Sequence, residues 1–122
     1  MTAMSINLLE VKGVKCSSIA SGIKKNGQLD LSLVSFTKGS NTAAVFTQNI
    51  FCAAPVIVAK NHLNSNIEAL LINSGNANAG TGEKGLEDSY KTCEYLAQEL
   101  KILPEQVLPF STGVIGELLP LK

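Results

Sequence analysis

The residues best equipped for chemistry stand in Ser111-Thr112-Gly113, just after the apolar pair Val107-Leu108. Two hydroxyls and an unhindered backbone N–H fall within three consecutive residues. Glycine lets the backbone approach a ligand closely and take positive φ. At the end of a strand, such a turn aims N–H and O–H donors at a developing negative oxygen, as an oxyanion hole requires. The same residue types also make ordinary polar turns after core strands. A second group is Asn73, Gly75, Asn76 and Asn78, which follows the apolar run Ala69-Leu70-Leu71-Ile72. Its side-chain amides either fasten the loop's own backbone or donate to a substrate carbonyl or carboxylate.

Other arrangements are less complete. Gly80-Thr81-Gly82-Glu83-Lys84-Gly85 matches the GxGxxG dinucleotide fingerprint. That fingerprint follows its strand directly, whereas residues 73–79 intervene here. Gly75 and Gly80 have the spacing of a phosphate-binding loop, but Thr81 stands where its lysine belongs. A helix N-terminus at this point is still suited to an anion. His62 is the only histidine, with no cysteine or acidic partner at suggestive spacing, and reads as structural. Cys16, Cys52 and Cys93 are far apart and odd in number, so neither a disulfide framework nor a metal site is expected.

The totals narrow the classes further. The 122 residues suffice for one domain with a real core, or part of a larger one. A 45% hydrophobic content is that of a globular protein. Ten lysines balance ten acidic residues, there is no arginine, and no basic run exceeds Lys24-Lys25. Nucleic-acid binding therefore has little support. No apolar run approaches a membrane span, and the N-terminus lacks the apolar core of a signal peptide, so a cytoplasmic protein is expected.

The elements that must position these residues follow from pattern. Residues 14–23 and 29–36 read as two strands of a hairpin, joined through Asn26-Gly27. Leu29, Leu31 and Leu33 alternate with polar residues, giving one buried face. Residues 43–46 read as a third strand. Residues 53–63 read as a helix, with Pro55 in its first turn, against the β-branching of Val56-Ile57-Val58. Residues 69–72 read as a strand covered on both faces. Residues 83–101 give the clearest helix, with Leu86, Tyr90, Cys93, Ala97 and Leu100 on one stripe and Glu87 placed to meet Lys91. Pro104 marks its exit and the next strand begins at Val107, so residues 69–110 read as a strand–helix–strand unit.

Taken in order, these stretches resemble the N-terminal part of the ornithine acetyltransferase family, the bifunctional glutamate N-acetyltransferases of arginine biosynthesis. The resemblance rests on Ala20-Ser21-Gly22-Ile23-Lys24-Lys25 with Asp30-Leu31, and on Ala43-Ala44-Val45-Phe46-Thr47-Gln48-Asn49. It continues through Ala53-Ala54-Pro55-Val56 with His62-Leu63, and Asn73-Ser74-Gly75-Asn76-Ala77-Asn78-Ala79 with Thr81-Gly82. It ends on Ser111-Thr112-Gly113-Val114-Ile115-Gly116-Glu117 with Leu119-Pro120. Leu121 stands where methionine is usual and Gly80 where cysteine is common.

The resemblance implies an α/β fold, a layered helix/sheet sandwich of the self-cleaving ornithine acetyltransferase and DmpA-like type, with this chain as its N-terminal portion. It implies a precursor that cuts itself between alanine and threonine, the new N-terminal threonine being the nucleophile. That threonine would take acetyl from N-acetylornithine, form an acyl-enzyme and pass the acetyl to glutamate. No cofactor is implied, and acetyl-CoA is a second donor in some members. Thr112 and Gly113 match the family's oxyanion hole. The nucleophile and most substrate-binding residues would lie beyond Lys122, on the rest of the α segment and on a β chain of an α2β2 assembly. The chain alone is therefore expected to be inactive. Two alternatives stand beside this reading. One is a nucleotide- or phosphate-binding module using residues 80–85. The other is an aminopeptidase or amidase of the same fold.

Overall fold

A computed structural model describes residues 10–121. Its strands are β1 (Val14–Ile19), β2 (Leu31–Phe36), β3 (Ala69–Asn76) and β4 (Val107–Val114). Its helices are α1 (Ala54–His62) and α2 (Gly82–Leu100), and a short 3-10 turn over Pro104–Gln106 leads into β4. The strands form one sheet in the order β1-β2-β3-β4. The first two junctions are antiparallel, while β3 and β4 run parallel. The expected strand–helix–strand unit is thus present, with α2 as the crossover that a parallel pair requires.

The hairpin pairs as expected, Val14 opposite Phe36 and Ile19 opposite Leu31, but it is not tight. β1 stops at Ile19, short of residue 23, and Leu29 lies outside β2 and is exposed. Asn26 and Gly27 both sit at φ +66°, within a long connection rather than at a two-residue tip. The cause is Asp30, whose carboxylate binds backbone N–H groups of that connection and draws it out of the ladder.

The third expected strand, residues 43–46, does not form. This segment pairs with no strand, and Val45 is fully exposed. β-propensity reflects fit to a pleated, half-buried surface, and both sides of β2 and β3 are already occupied. Only Phe46 of the four packs inward, against the cluster of Ala59, Ile67 and Leu108.

At α1 the proline prevails over the β-branched run. Pro55 occupies the first turn, and the N-cap residue Ala53 is extended. Val58 and Ala59 are buried by the packing of this helix on β4 and α2. α2 buries Cys93 and Ala97, with Leu86 and Tyr90 against the same core, while Leu100 at its end is exposed. Lys101 closes the helix in the left-handed conformation, φ +57°, and its N–H reaches the carbonyls of Ala97 and Gln98. On the outer face Lys91 donates to Glu87 at 2.6 Å, while Lys84 reaches down to pair with the buried Asp88.

The main core joins Val58, Ala69, Cys93, Ala97 and Val107, with Leu33 and Leu71 packed against it. Full burial of Val58 and Val107 contributes roughly 2 kcal/mol each. Ala69, Leu71 and Asn73 alternate onto the sheet face that meets α2, opposite Val107, Pro109 and Ser111 of β4. Pro109 is tolerated because β4 is an edge strand, where a missing N–H costs no ladder bond.

Candidate active site

The two chemically suggestive stretches meet at the carboxyl ends of β3 and β4. In α/β sheets this is where ligands bind. Asn73 faces Ser111, Ser74 faces Thr112 and Gly75 faces Gly113. The ladder then bulges, so that Asn76 pairs with both Thr112 and Val114. β3 is longer than its apolar core, because the asparagine stretch begins as strand through Asn76 rather than as loop.

Each asparagine side chain is committed to its own surroundings. Asn73 is buried; its Oδ1 accepts the Ser111 hydroxyl at 2.5 Å and its Nδ2 donates to Asn76 O at 2.8 Å. Asn76 is buried; its Oδ1 accepts Asn78 N–H at 2.7 Å, and its Nδ2 donates to the carbonyls of Glu117 and Leu118, both at 3.1 Å. Asn78 is fully buried; its Nδ2 donates to Gly85 O at 2.9 Å and its Oδ1 accepts the Thr81 hydroxyl at 2.8 Å. These bonds fasten the chain's own loop and strands. Backbone bonds complete the lacing, Ala77 N–H to Val114 O and Gly116 N–H to Ala79 O, each 2.8 Å.

The glycines answer to close approach. Gly75 has φ +103°, and a Cβ there would lie 2.9 Å from Ile23 Cγ2 and 3.0 Å from Lys24 Cγ. The connection between β1 and β2 therefore sits directly on it. Asp30 holds that connection: its Oδ1 accepts Ser21 N–H at 2.6 Å and the Ser21 hydroxyl at 2.8 Å, and its Oδ2 accepts Lys24 N–H at 2.7 Å. These backbone donors at Lys24 and Ser21 lower the Asp30 carboxyl to about 2. Its carbonyl also accepts Ser74 N–H at 2.8 Å, tying the clamp to β3 beside Gly75. The sequence reading missed Asp30, because an aspartate among leucines looks like the wet face of a strand.

Thr112 and Gly113 are exposed at the end of β4. The Ser111 side chain turns to Asn73 on the helix side, so alternation sends the Thr112 hydroxyl to the opposite face. A cavity of about 650 Å³, lined by Leu31, Leu71, Asn73, Leu96, Pro109 and Ser111 among others, lies on the helix side of the same strands.

His62 stands apart from this site. It is buried, its Nδ1 is 2.8 Å from Val107 O at the opposite end of β4, and its ring leans on Tyr90. In the glycine-rich segment, Gly80 and Gly82 take positive φ, and Gly85 answers to packing. A Cβ on Gly85 would fall 1.8 Å from the Thr81 hydroxyl oxygen and 2.5 Å from Asn78 Oδ1, so that glycine makes room for the chain's own side chains. Among the described residues no group of His, Cys, Asp and Glu could hold a metal ion, and no helix is long and apolar enough to cross a membrane.

Comparison with known proteins bears on this arrangement. The model of the ArgJ family matches residues 15–122. The chain belongs to the ArgJ family. The arginine biosynthesis bifunctional protein ArgJ of Methylococcus capsulatus is 51% identical over 116 residues, covering 95% of this chain and 28% of that protein. Its counterpart from Neisseria meningitidis serogroup A is 46% identical over 127 residues, covering 96% of this chain and 31% of that protein. The chain therefore spans under a third of the length of these ArgJ relatives.

Solved ArgJ structures carry the same fold. The crystal structure of ArgJ from Bacillus halodurans superposes with a TM-score of 0.85 at 37% identity, covering 89% of this chain and 58% of that one. Ornithine acetyltransferase from Mycobacterium tuberculosis, complexed with ornithine, gives 0.84 at 38% identity, covering 89% of this chain and 60% of that one. The α/β reading of the sequence agrees with these ArgJ folds.

Proposed function

We propose that this chain is the N-terminal portion of a glutamate N-acetyltransferase, and that it supplies the oxyanion hole through Thr112 and Gly113. The complete enzyme moves acetyl from N-acetylornithine to glutamate through an acyl-threonine intermediate. Its nucleophile is the N-terminal threonine of a second segment, released by self-cleavage, with its own amine as base. The hydroxyl and the backbone N–H serve the tetrahedral oxyanion in acylation and in deacylation alike, because both steps place negative charge on the same acetyl oxygen. The segments assemble as α2β2 in the cytoplasm, and the transfer uses no bound cofactor.

The observation that carries this reading is the fixed presentation of Thr112 and Gly113. They are exposed at the carboxyl end of a parallel pair, and the residues around them are laced to β3 by Asn73 and Asn76. Preorganised donors of this kind cost no reorganisation at the moment of reaction. Membership of the ArgJ family adds the reaction, since its relatives are named for arginine biosynthesis.

The test is denaturing mass analysis and N-terminal sequencing of the full-length protein, followed by an acetyl-transfer assay. A second chain beginning with threonine, with transfer from N-acetylornithine to glutamate, is expected. Hydrolysis of peptide amides without acetyl transfer would instead assign an aminopeptidase of the same fold. The 122-residue chain alone is expected to catalyse no exchange.

A further inference from the structure

We infer that Asn76 is the positioning residue of the oxyanion turn, an inference that rests on the function proposed above. After Val114 the chain leaves the sheet, turns, and passes Asn76 again at Glu117 and Leu118, so the stretch from Thr112 to Leu118 forms one turn around that residue. Asn76 touches it at both ends. Its backbone pairs with Thr112 and Val114 across the bulge, on either side of Gly113. Its carboxamide Nδ2 donates to both Glu117 O and Leu118 O on the return. Its Oδ1 accepts Asn78 N–H, which fixes the amide's orientation and directs the Nδ2 donors at the two carbonyls. The side chain is 4% exposed, so water does not substitute for these bonds.

The chemistry explains why asparagine is needed. The position requires an acceptor toward Asn78 and two donors toward carbonyls, all from one short planar group, and a carboxamide supplies that set. Aspartate keeps the acceptor but turns a second oxygen toward two carbonyl oxygens. Serine is too short to span the turn. Either change frees the return segment, and Thr112 and Gly113 then lose their fixed direction without losing any atom of their own. A misplacement of about 1 Å costs on the order of a hundredfold in rate. Because the oxyanion exists only in the transition state, the loss falls on kcat and leaves KM nearly unchanged.

The experiment compares full-length wild type, Asn76→Asp, Asn76→Ser and the core variant Val58→Ala, which lowers stability far from the turn. Active sites are counted by the acetyl burst from N-acetylornithine, so that unfolded enzyme does not enter the rate. The expected result for both Asn76 variants is a kcat per active site lowered about a hundredfold, with KM within about threefold of wild type. Amide exchange in the 111–118 peptide should accelerate in the same variants. Val58→Ala should match wild type in both readouts. An unchanged kcat per active site in the Asn76 variants, or a raised KM at constant kcat, overturns the inference. Should wild type transfer no acetyl, the proposed function falls separately. Exchange in the 111–118 peptide then decides, and unchanged exchange overturns the hold assigned to Asn76.

Discussion

Gly113 lies so close to Gly75 across the β3–β4 pair that it has no room for a side chain. A Cβ on Gly113 would stand 2.4 Å from Gly75 C and 2.6 Å from Asn76 N. The φ of +132° at Gly113 is itself a conformation that L side chains rarely adopt. Gly113→Ala must therefore push two backbones apart and take on backbone strain, at a cost of about 2 kcal/mol or more. A lowered thermal midpoint together with a kcat loss of at least about a hundredfold is expected in the full-length enzyme. Calorimetry and the acetyl-transfer assay check the two effects. Retention of both values would mean that this contact is slack.

Asp30 ties the connection over Gly75 to charge. Its folded carboxyl is lowered to about 2 by the backbone donors of Lys24 and Ser21, against roughly 3.9 for a free aspartate. A lowered folded value means that the ionised form stabilises the fold above pH ~4, and that this contribution fades as pH falls toward about 2. Asp30→Asn should thus lower the thermal midpoint by a constant margin above pH ~4, with the margin closing toward pH ~2. Thermal melts of the two proteins across that range decide it. A margin independent of pH would show that the carboxylate's charge is not what holds the loop.

Cys16 and Cys93 should separate by reactivity. Cys93 is fully buried in the core, and burial pushes its thiol up to about 12. It stays neutral and shielded at pH 8, whereas Cys16 on β1 is exposed. Native alkylation followed by peptide mapping should label Cys16 and spare Cys93 until denaturant is added. Prompt labelling of Cys93 would mean that α2 lifts from the sheet readily.

Several exposed apolar side chains call for cover, among them Phe51 and Ile115, which both flank Gly80. Val45, Ile50, Phe51 and Ile115 are 99%, 101%, 72% and 68% exposed, more than scattered surface residues on a monomer explain. Sedimentation of the 122-residue chain alone should reveal self-association that Val45→Lys with Phe51→Ser reduces. A clean monomer at high concentration, unchanged by these substitutions, would remove the argument.

Much of this architecture was legible where one local force dominated. The stripe Leu86, Tyr90, Cys93 and Ala97 has a helical period and nothing opposes it. Pro55 fixed the entry to α1 against the strand preference of its neighbours. Reading failed where partners decide. Residues 43–46 have strand composition but pair with no strand, and Leu29 has strand alternation but is drawn off by Asp30. The asparagines of β3 were recognised as a group, yet their roles depend on Ser111, Glu117 and Gly85, which are distant in sequence. No local pattern announces that Gly113 must be small to pass Gly75, or that Gly75 must be small beneath Ile23 and Lys24.

The most direct test of the central claim is to trap the acyl-enzyme. Full-length wild type and Thr112→Ala are mixed with N-acetylornithine without glutamate, quenched in acid over time, and read by intact mass. Thr112 is exposed, so removing its hydroxyl should leave stability within about 0.5 kcal/mol. One acetyl group is expected on the threonine-initiated chain of wild type, with acetylation slowed by on the order of a hundredfold or more in Thr112→Ala. Acetylation of both proteins at the same rate would contradict it, since the hydroxyl would then play no part in stabilising the oxyanion.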